Sequence, residues 1–343
     1  MSPPPHANSA EPSFDALHIT TPLWTSSVAA RRLGVGNVYF KMDALQPGGS
    51  FKIRGMGRTV SRAVERRPGL TTVVSSSGGN AGLAVTLAGR AFDLAVQVFV
   101  PSTTPAFMIT RIQDAGATVT VKGSVWDEAH AAAVDYAATL GEAKALLVHP
   151  FEGEDTHEGH STLITEIKDQ LPPSVVPSAV ICVVGGGGLL CGVLQGILTA
   201  WPTAPRPVVV AVETHGAHAY AEALRAGTPV PLPGGITSIA KSLGALQVSS
   251  RTLTLRDQYG PAHVRSQVVT DTQAVQGLLA LATEFRVLVE PSCGAGVALV
   301  YEDNLLKTVV PELGSESNVV VIVCGGSLVT MESVDIWKKM FGL

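Results

Sequence analysis

Short apolar runs rich in β-branched residues recur along the 343-residue chain, and stretches with a helical period lie between them. The runs fall at 38–42, 71–75, 95–100, 118–121, 179–184, 208–212 and 319–324. Their apolar residues are continuous rather than alternating, which predicts strands covered on both faces and hence parallel sheet. Helices are expected over 53–65, 81–90, 106–114, 126–140, 161–170, 189–199, 272–285 and 294–304. At the start of one of these, Asp271 reads as the N-cap, accepting from the first free N–H groups. Strands and helices in alternation define an α/β protein, and a chain of this length suggests about two domains.

Composition narrows the class. Hydrophobic residues make up 46% of the chain and charged residues 15%, so a compact core is expected rather than disorder. The formal net charge is -4 and there is no block of Lys or Arg, which argues against a nucleic-acid partner. Cys182, Cys191, Cys293 and Cys324 form no CxxC and no Cys/His zinc spacing. Reduced thiols in a cytoplasmic protein are therefore expected. Residues 1–18 carry acidic residues, no arginine and no apolar core of a signal peptide, so they read as a loose tail. The stretch "AVICVVGGGGLLCGVLQGILTA", 179–200, is long enough to span a bilayer. Four glycines in its middle, each costing a helix about 1 kcal/mol against alanine, favour a strand, a loop and a helix instead, with no membrane association. His157/His160 and His215/His218 lack a third ligand, and the general base of HExxH is absent, so surface or loop positions are expected for both pairs.

Three glycine-rich turns follow strand candidates: "SSSGGNAG" (75–82), "GGGGLL" (185–190) and "CGGS" (324–327). In open α/β sheets, ligands sit at the carboxyl ends of strands, where helix N-termini offer free N–H groups to anions. The second turn lacks the Lys-Ser/Thr of a Walker loop and the register of a dinucleotide loop, so a different phosphate-bearing cofactor fits it better. In "LQPGGSFKIRG" (45–55), Lys52 stands between Phe51 and Ile53, just after Gly48 and Gly49. A lysine carried into an apolar pocket sheds its charge by forming a Schiff base with a bound aldehyde. On the residues alone, a non-catalytic nucleotide-binding module is the alternative from another class.

The segment "DALQPGGSFKIRG" resembles the pyridoxal-phosphate (PLP) attachment signature of the serine/threonine dehydratases. "SSSGGNAG" resembles their substrate-carboxylate loop and "VVGGGGLLCGV" their phosphate loop. "VETHGAHAY", "ITSIAKSLGA", "LVEPSCGAG" and "VIVCGGS" match in the same order. The resemblance runs from near residue 20 onward and is closest to the short catabolic L-serine dehydratases. It implies PLP fold type II: two open, twisted, largely parallel-sheet α/β domains with the cofactor in the cleft between them. By it, residues 21–52 and 148–343 form a large PLP-binding domain, 53–147 a small inserted one, and 1–20 a flexible tail.

The resemblance also implies roles. Lys52 would bind PLP as a Schiff base and act as the catalytic base, with Phe51 packed on the pyridine ring. Asn80 would bond the ring's 3'-oxygen, and Gly185, Gly186, Gly187, Gly188 and Leu189 the phosphate. Cys324 would face the pyridine nitrogen, and its weakly donating thiol leaves that nitrogen neutral. Ser77, Gly78, Gly79 and Ala81 would cradle the substrate carboxylate. Glu213, Ala217, Ser242, Leu243 and Ala245 match a monovalent-cation site suited to K+, against the plainer reading of Glu213 as a helix-capping acid. Glu290, just before Pro291, is either a neighbour of the ring or a cap. The implied reaction is β-elimination of L-serine to pyruvate and ammonia, and of L-threonine to 2-oxobutyrate, by a homodimer. Serine racemase and PLP β-replacement enzymes are the rivals. Related racemases place a serine where this chain has Gly78, which favours elimination.

Overall fold

The computed structural model describes residues 13–343 apart from 204 and 303, so the first twelve residues of the tail expected over 1–20 lie outside the described residues. The strands are β1 (Leu23–Thr25), β2 (Asn37–Lys41), β3 (Thr72–Ser75), β4 (Ala95–Val100) and β5 (Thr118–Val121), then β6 (Ala145–Val148), β7 (Ala179–Val183), β8 (Val208–Thr214), β9 (Val264–Val269) and β10 (Asn318–Ile322). A six-stranded sheet runs β1-β2-β10-β7-β8-β9, and a four-stranded one β5-β4-β3-β6. All pairings are parallel except β1 with β2. The smaller sheet is built from one continuous stretch of chain, and the larger from segments on either side of it.

Every residue of β7 and β8 is buried, which is why these strands read as unbroken apolar runs. Their Val and Ile side chains join one large core, and a second cluster of Val, Ala and Leu fills the smaller sheet. The helix Pro291–Tyr301 is buried along its whole length and packs on β7, β8 and β10. The segment at 179–200 is β7, a glycine loop and the helix Gly188–Ala200. Among the described residues, no helix is long and apolar enough to cross a membrane.

Three strands escape the apolar-run reading, each for a local reason. β1 has only three residues at a sheet edge. β9 is an edge strand with a half-buried polar interior, Arg265-Ser266-Gln267, and β6, "ALLV", has one β-branched residue. The helix expected from 161 begins at Glu154, because Thr156, His157 and His160 face inwards although they are polar. Asp271 is not the N-cap of its helix. Thr270 is, in a capping box with Gln273, while the Asp271 carboxylate accepts from Ser238 Oγ at 2.5 Å and Ile239 N–H at 3.1 Å. The expected tail also ends earlier than residue 20. Phe14–Leu17 is a short helix that buries Phe14 and Leu17, and Arg58 stacks on the Phe14 ring.

Candidate active site

Lys52 opens the helix Lys52–Arg66, following a loop in which Gly48 and Gly49 adopt φ of 79° and 76°, a region that suits glycine. That loop is tied to the end of β10. Ala44 N–H donates to Val323 O at 2.8 Å, Phe51 N–H to Cys324 O at 3.1 Å, and Gly326 N–H to Gly49 O at 2.8 Å. The Lys52 Nζ donates to Pro150 O at 2.5 Å and lies 5.2 Å from the Phe51 ring centre. Burial pushes this amine down to about 8. The unprotonated fraction near neutral pH is thus far larger than for an ordinary lysine, as a nucleophile or base requires.

The Phe51 ring leans on His160, 4.8 Å away between centroids. His157 and His160 are therefore not surface residues; they are 3% and 0% exposed. His157 Nε2 donates to Phe151 O at 2.9 Å. The His160 ring fills a gap left by Gly55, whose Cβ, if present, would sit 2.4 Å from Cε1. Glycines on facing helices make room for an imidazole that a composition rule places outside. His215 is exposed and His218 half-buried, in line with the expected loop position.

After β3, the turn leads into the helix Asn80–Ala91. The N–H groups of Gly78, Asn80, Ala81 and Gly82 donate to no described residue, while Gly79 N–H is taken by Ser77 Oγ at 3.3 Å. These free donors at a helix start suit a carboxylate. The turn is tight: a Cβ on Gly82 would lie 1.8 Å from Ser77 O, and one on Gly78 would lie 2.6 Å from Thr104 Cγ2. Position 78 therefore admits a side chain only if Thr104 moves.

After β7, the N–H groups from 185 to 190 likewise donate to no described residue, at the start of the helix Gly188–Ala200. Gly187 has φ 96°, and a Cβ on Gly186 would lie 2.2 Å from the Phe151 ring. Such a row of unpaired donors, with no side chain to cover it, fits a phosphate.

Residues 149–152 were not singled out from the sequence, yet they join these parts. Pro150 takes the lysine amine, and Phe151 packs on the glycine loop. Glu152 accepts from Ser249 Oγ at 2.8 Å, while Ser249 N–H donates to Gly186 O at 2.9 Å. His149 Nδ1 accepts from Glu152 N–H at 3.0 Å. Burial, aided by His130 and Lys52, pushes His149 down to about 4, so it is a neutral acceptor. The available signal was position: the segment sits at the carboxyl end of a parallel strand, where ligands gather.

Cys324 is buried at the end of β10, and its contact with the Cys293 thiol, together with burial, pushes its thiol well above the ordinary range. It is a neutral SH group. Beside it lies a cluster built on Asn80. The Asn80 Nδ2 donates to Glu290 Oε1 at 2.8 Å and to Ser242 Oγ at 3.2 Å, while its Oδ1 accepts Ser327 N–H at 2.7 Å. Glu290 occupies an N-cap position but makes no capping bond. Its carboxylate instead accepts from Asn80, Ser242 Oγ and Leu328 N–H.

Glu213, at the end of β8, is fully buried, and its two oxygens accept Tyr220 and Ala221 N–H, both at 2.8 Å. This is the capping geometry for the helix Ala219–Ala226. Ser242 directs its hydroxyl to Glu290 rather than to Glu213. Among the described residues, no three His, Cys, Asp or Glu side chains group as a metal site.

Two largely parallel sheets, two helix starts with unpaired N–H groups, and a desolvated lysine tied to the chain between them define a PLP enzyme of fold type II. The chain belongs to the pyridoxal-phosphate dependent enzyme family, whose pattern matches residues 15–325. It is similar to mouse L-serine dehydratase/L-threonine deaminase, with 39% identity over 340 residues, covering 96% of this chain and 97% of the relative. It is also similar to a mouse serine dehydratase-like protein, 39% identical over 331 residues and covering 96% of each. The crystal structure of a fungal L-serine ammonia-lyase from Rhizomucor miehei matches with a TM-score of 0.86 and 34% identity, over 95% of this chain and 99% of that one. Maize serine racemase, at 24% identity and a TM-score of 0.81, shares the fold.

Proposed function

We propose that this chain is an L-serine dehydratase, which eliminates water from L-serine to give pyruvate and ammonia and converts L-threonine to 2-oxobutyrate. The observation that carries the reading is the Lys52 amine, lowered to about 8 by burial and held by Pro150, whose neighbour Phe151 packs on the glycine loop. The fit to PLP is chemical: a desolvated amine for its aldehyde, unpaired N–H groups for its phosphate, and Phe51 for its ring face. Asn80 would bond its 3'-oxygen, and the neutral Cys324 thiol would face its ring nitrogen. When bound, PLP supplies an electron sink for a carbanion at Cα.

The N–H groups of Gly78, Asn80 and Ala81, with Ser77 and Gly79 shaping the turn, hold the substrate carboxylate and so fix Cα. The Lys52 amine takes the Cα proton. The β-hydroxyl leaves as water with the proton that Lys52 took from Cα, and the released enamine takes up one water to give the keto acid and ammonia. No side chain at position 78 is available to return a proton to the opposite face.

The test is a keto-acid assay on L-serine and L-threonine with chiral analysis of the remaining serine. Pyruvate should form with little D-serine. A rate of D-serine formation matching that of pyruvate overturns the reading in favour of a racemase. A cytoplasmic homodimer is part of the proposal, to be checked by sedimentation and cell fractionation.

A K+ ion near Glu213, Ala217, Ser242, Leu243 and Ala245 belongs to the same reading and has its own measurement. Burial pushes the Glu213 carboxyl up to about 8, against the lowering effect of the Tyr220 and Ala221 N–H groups. A carboxyl raised on folding gives stability that is full below its unfolded value and lost as pH rises through the folded one. Melting temperature should therefore fall between pH ~4.5 and ~8, the loss amounting to a few kcal/mol at about 1.4 kcal/mol per pKa unit. Glu213→Gln should flatten that fall. A bound cation would flatten it for the wild type too, so the slope should be shallower in K+ than in tetramethylammonium. Equal slopes in the two salts remove the cation from the model.

A further inference from the structure

We propose that Glu290 is a positioning residue that fixes the Asn80 side-chain amide so that it presents N–H, and never its oxygen, to the cofactor side of the site. The inference rests on the proposed PLP reading for the role of Asn80, and on geometry for everything else.

An asparagine amide has two ends of similar shape and opposite hydrogen-bonding character. At Asn80, both ends are specified. Ser327 N–H can only donate, and at 2.7 Å it claims Oδ1. Glu290 Oε1 lies 2.8 Å from Nδ2, and an ionised carboxylate can only accept. A flipped amide would set its oxygen against the carboxylate and its NH2 against the Ser327 N–H, replacing two attractions by two repulsions.

The Oε1 atom of Glu290 is fixed as an acceptor by a second donor. Ser242 Oγ donates to Oε2, and Leu328 N–H donates to Oε1 at 2.9 Å. The carboxylate is 2% exposed, so water cannot replace these donors. Asn80 begins its helix, and a negative charge near that terminus is favourable. The packing is close: Gly326 has φ 128°, and a Cβ there would lie 2.2 Å from Glu290 Oε1. Burial outweighs the lowering effect of Ser242, Asn80 and the Leu328 N–H and raises the Glu290 carboxyl, and Oε1, which two N–H groups address, is an acceptor in either protonation state.

The hydrogen of Nδ2 that reaches Ser242 is the longer contact, at 3.2 Å. It is the one that an incoming acceptor can take over from Ser242 Oγ along the same direction, while Glu290 keeps the other. Glu290 thus acts on the cofactor through Asn80.

The test compares Asn80→Ala, Glu290→Leu, the double variant and Glu290→Gln, reading PLP dissociation constant by ultrafiltration and the absorption maximum of the reconstituted protein. Glu290→Leu should weaken PLP binding about tenfold, the size of one charge-assisted hydrogen bond, and shift the absorption maximum as Asn80→Ala does. The double variant should be no weaker than Asn80→Ala alone, because both remove the same interaction. Glu290→Gln keeps one acceptor for Nδ2 and should stay within about threefold of wild type. Full additivity of the two losses, or a Glu290→Leu protein with wild-type affinity and spectrum, overturns the proposal.

If Glu290→Leu does not fold, cofactor-free Asn80→Asp decides the matter by its melting temperature. Two facing carboxylates should lower it by several degrees, and adding Glu290→Gln should restore most of that loss. No recovery overturns the proposal. This arm needs neither PLP nor serine, so it stands or falls separately from the dehydratase reading, which the keto-acid assay tests.

Discussion

Lys52→Ala is expected to lower L-serine turnover by more than about 10³-fold, since general-base catalysis alone contributes about 10² to 10⁴ and the covalent attachment is lost with it. The visible absorption of the PLP-loaded protein should disappear, while the cofactor-free variant keeps its melting temperature. The fold tolerates the loss because the amine makes one hydrogen bond, to Pro150, and its charge is disfavoured where it sits. A companion measurement isolates the amine itself. Only the unprotonated form attacks an aldehyde, and its fraction rises as pH passes the amine's own value. The rate of PLP uptake by cofactor-free wild-type protein should therefore climb to a plateau through pH about 8, well below the ordinary lysine value of 10.5. Substantial elimination by Lys52→Ala, or uptake that climbs only near pH 10.5, would falsify the assigned role.

What could be read from the chain follows the range of each interaction. The Val-rich strands and the glycine turns are local signals, since burial on two faces or a sharp strand-to-helix turn constrains neighbouring letters directly. β5 and the helices Ala106–Asp114 and Trp126–Leu140 begin and end where the periodicity places them. Lys52, the 75–82 turn and the 185–190 turn are equally local, and the structure brings the lysine to the second turn through Pro150 and Phe151. That bridge was not legible, because its meaning depends on where the chain recrosses between the sheets. Glu290 shows the same limit: its partner Asn80 is 210 residues away, so sequence alone left capping and a ring neighbour equally open. His160 was misplaced because the room for it comes from Gly55, on another helix.

Arg54 is the most consequential residue of this hidden kind, and replacing it should be the most damaging change to stability. Its side chain is fully buried, two residues beyond Lys52 on the same helix. Its Nε and Nη2 donate to the two oxygens of Asp43 at 2.7 and 2.9 Å, and its Nη1 and Nη2 to those of Glu166 at 2.6 and 2.8 Å. Lys41, also fully buried, completes the group, with Nζ 2.5 Å from Glu166 and 2.7 Å from Thr21 O. Two cations and two anions thus balance where β2, the turn at Asp43, the lysine helix and the helix Glu154–Gln170 meet. Arg54→Met removes one cation and leaves Asp43 buried without it, which should cost about 3–5 kcal/mol in denaturant unfolding. Arg54→Lys should recover only part of this, because one ammonium cannot pair with both oxygens of two carboxylates. The pH dependence gives the cause away. Burial alone raises the Asp43 carboxyl, but the Arg54 charge and hydrogen bonds outweigh it and hold the group below its ordinary value. In the wild type, that stability is present above the unfolded value near 3.9 and is lost as pH falls through the folded one. Without Arg54 the shift reverses, so the variant is least penalised in acid, where Asp43 is protonated, and the gap to wild type widens towards pH 7. A loss within about 1 kcal/mol, the size of a surface ion pair, or a gap independent of pH, would show that the cluster does not hold these elements together.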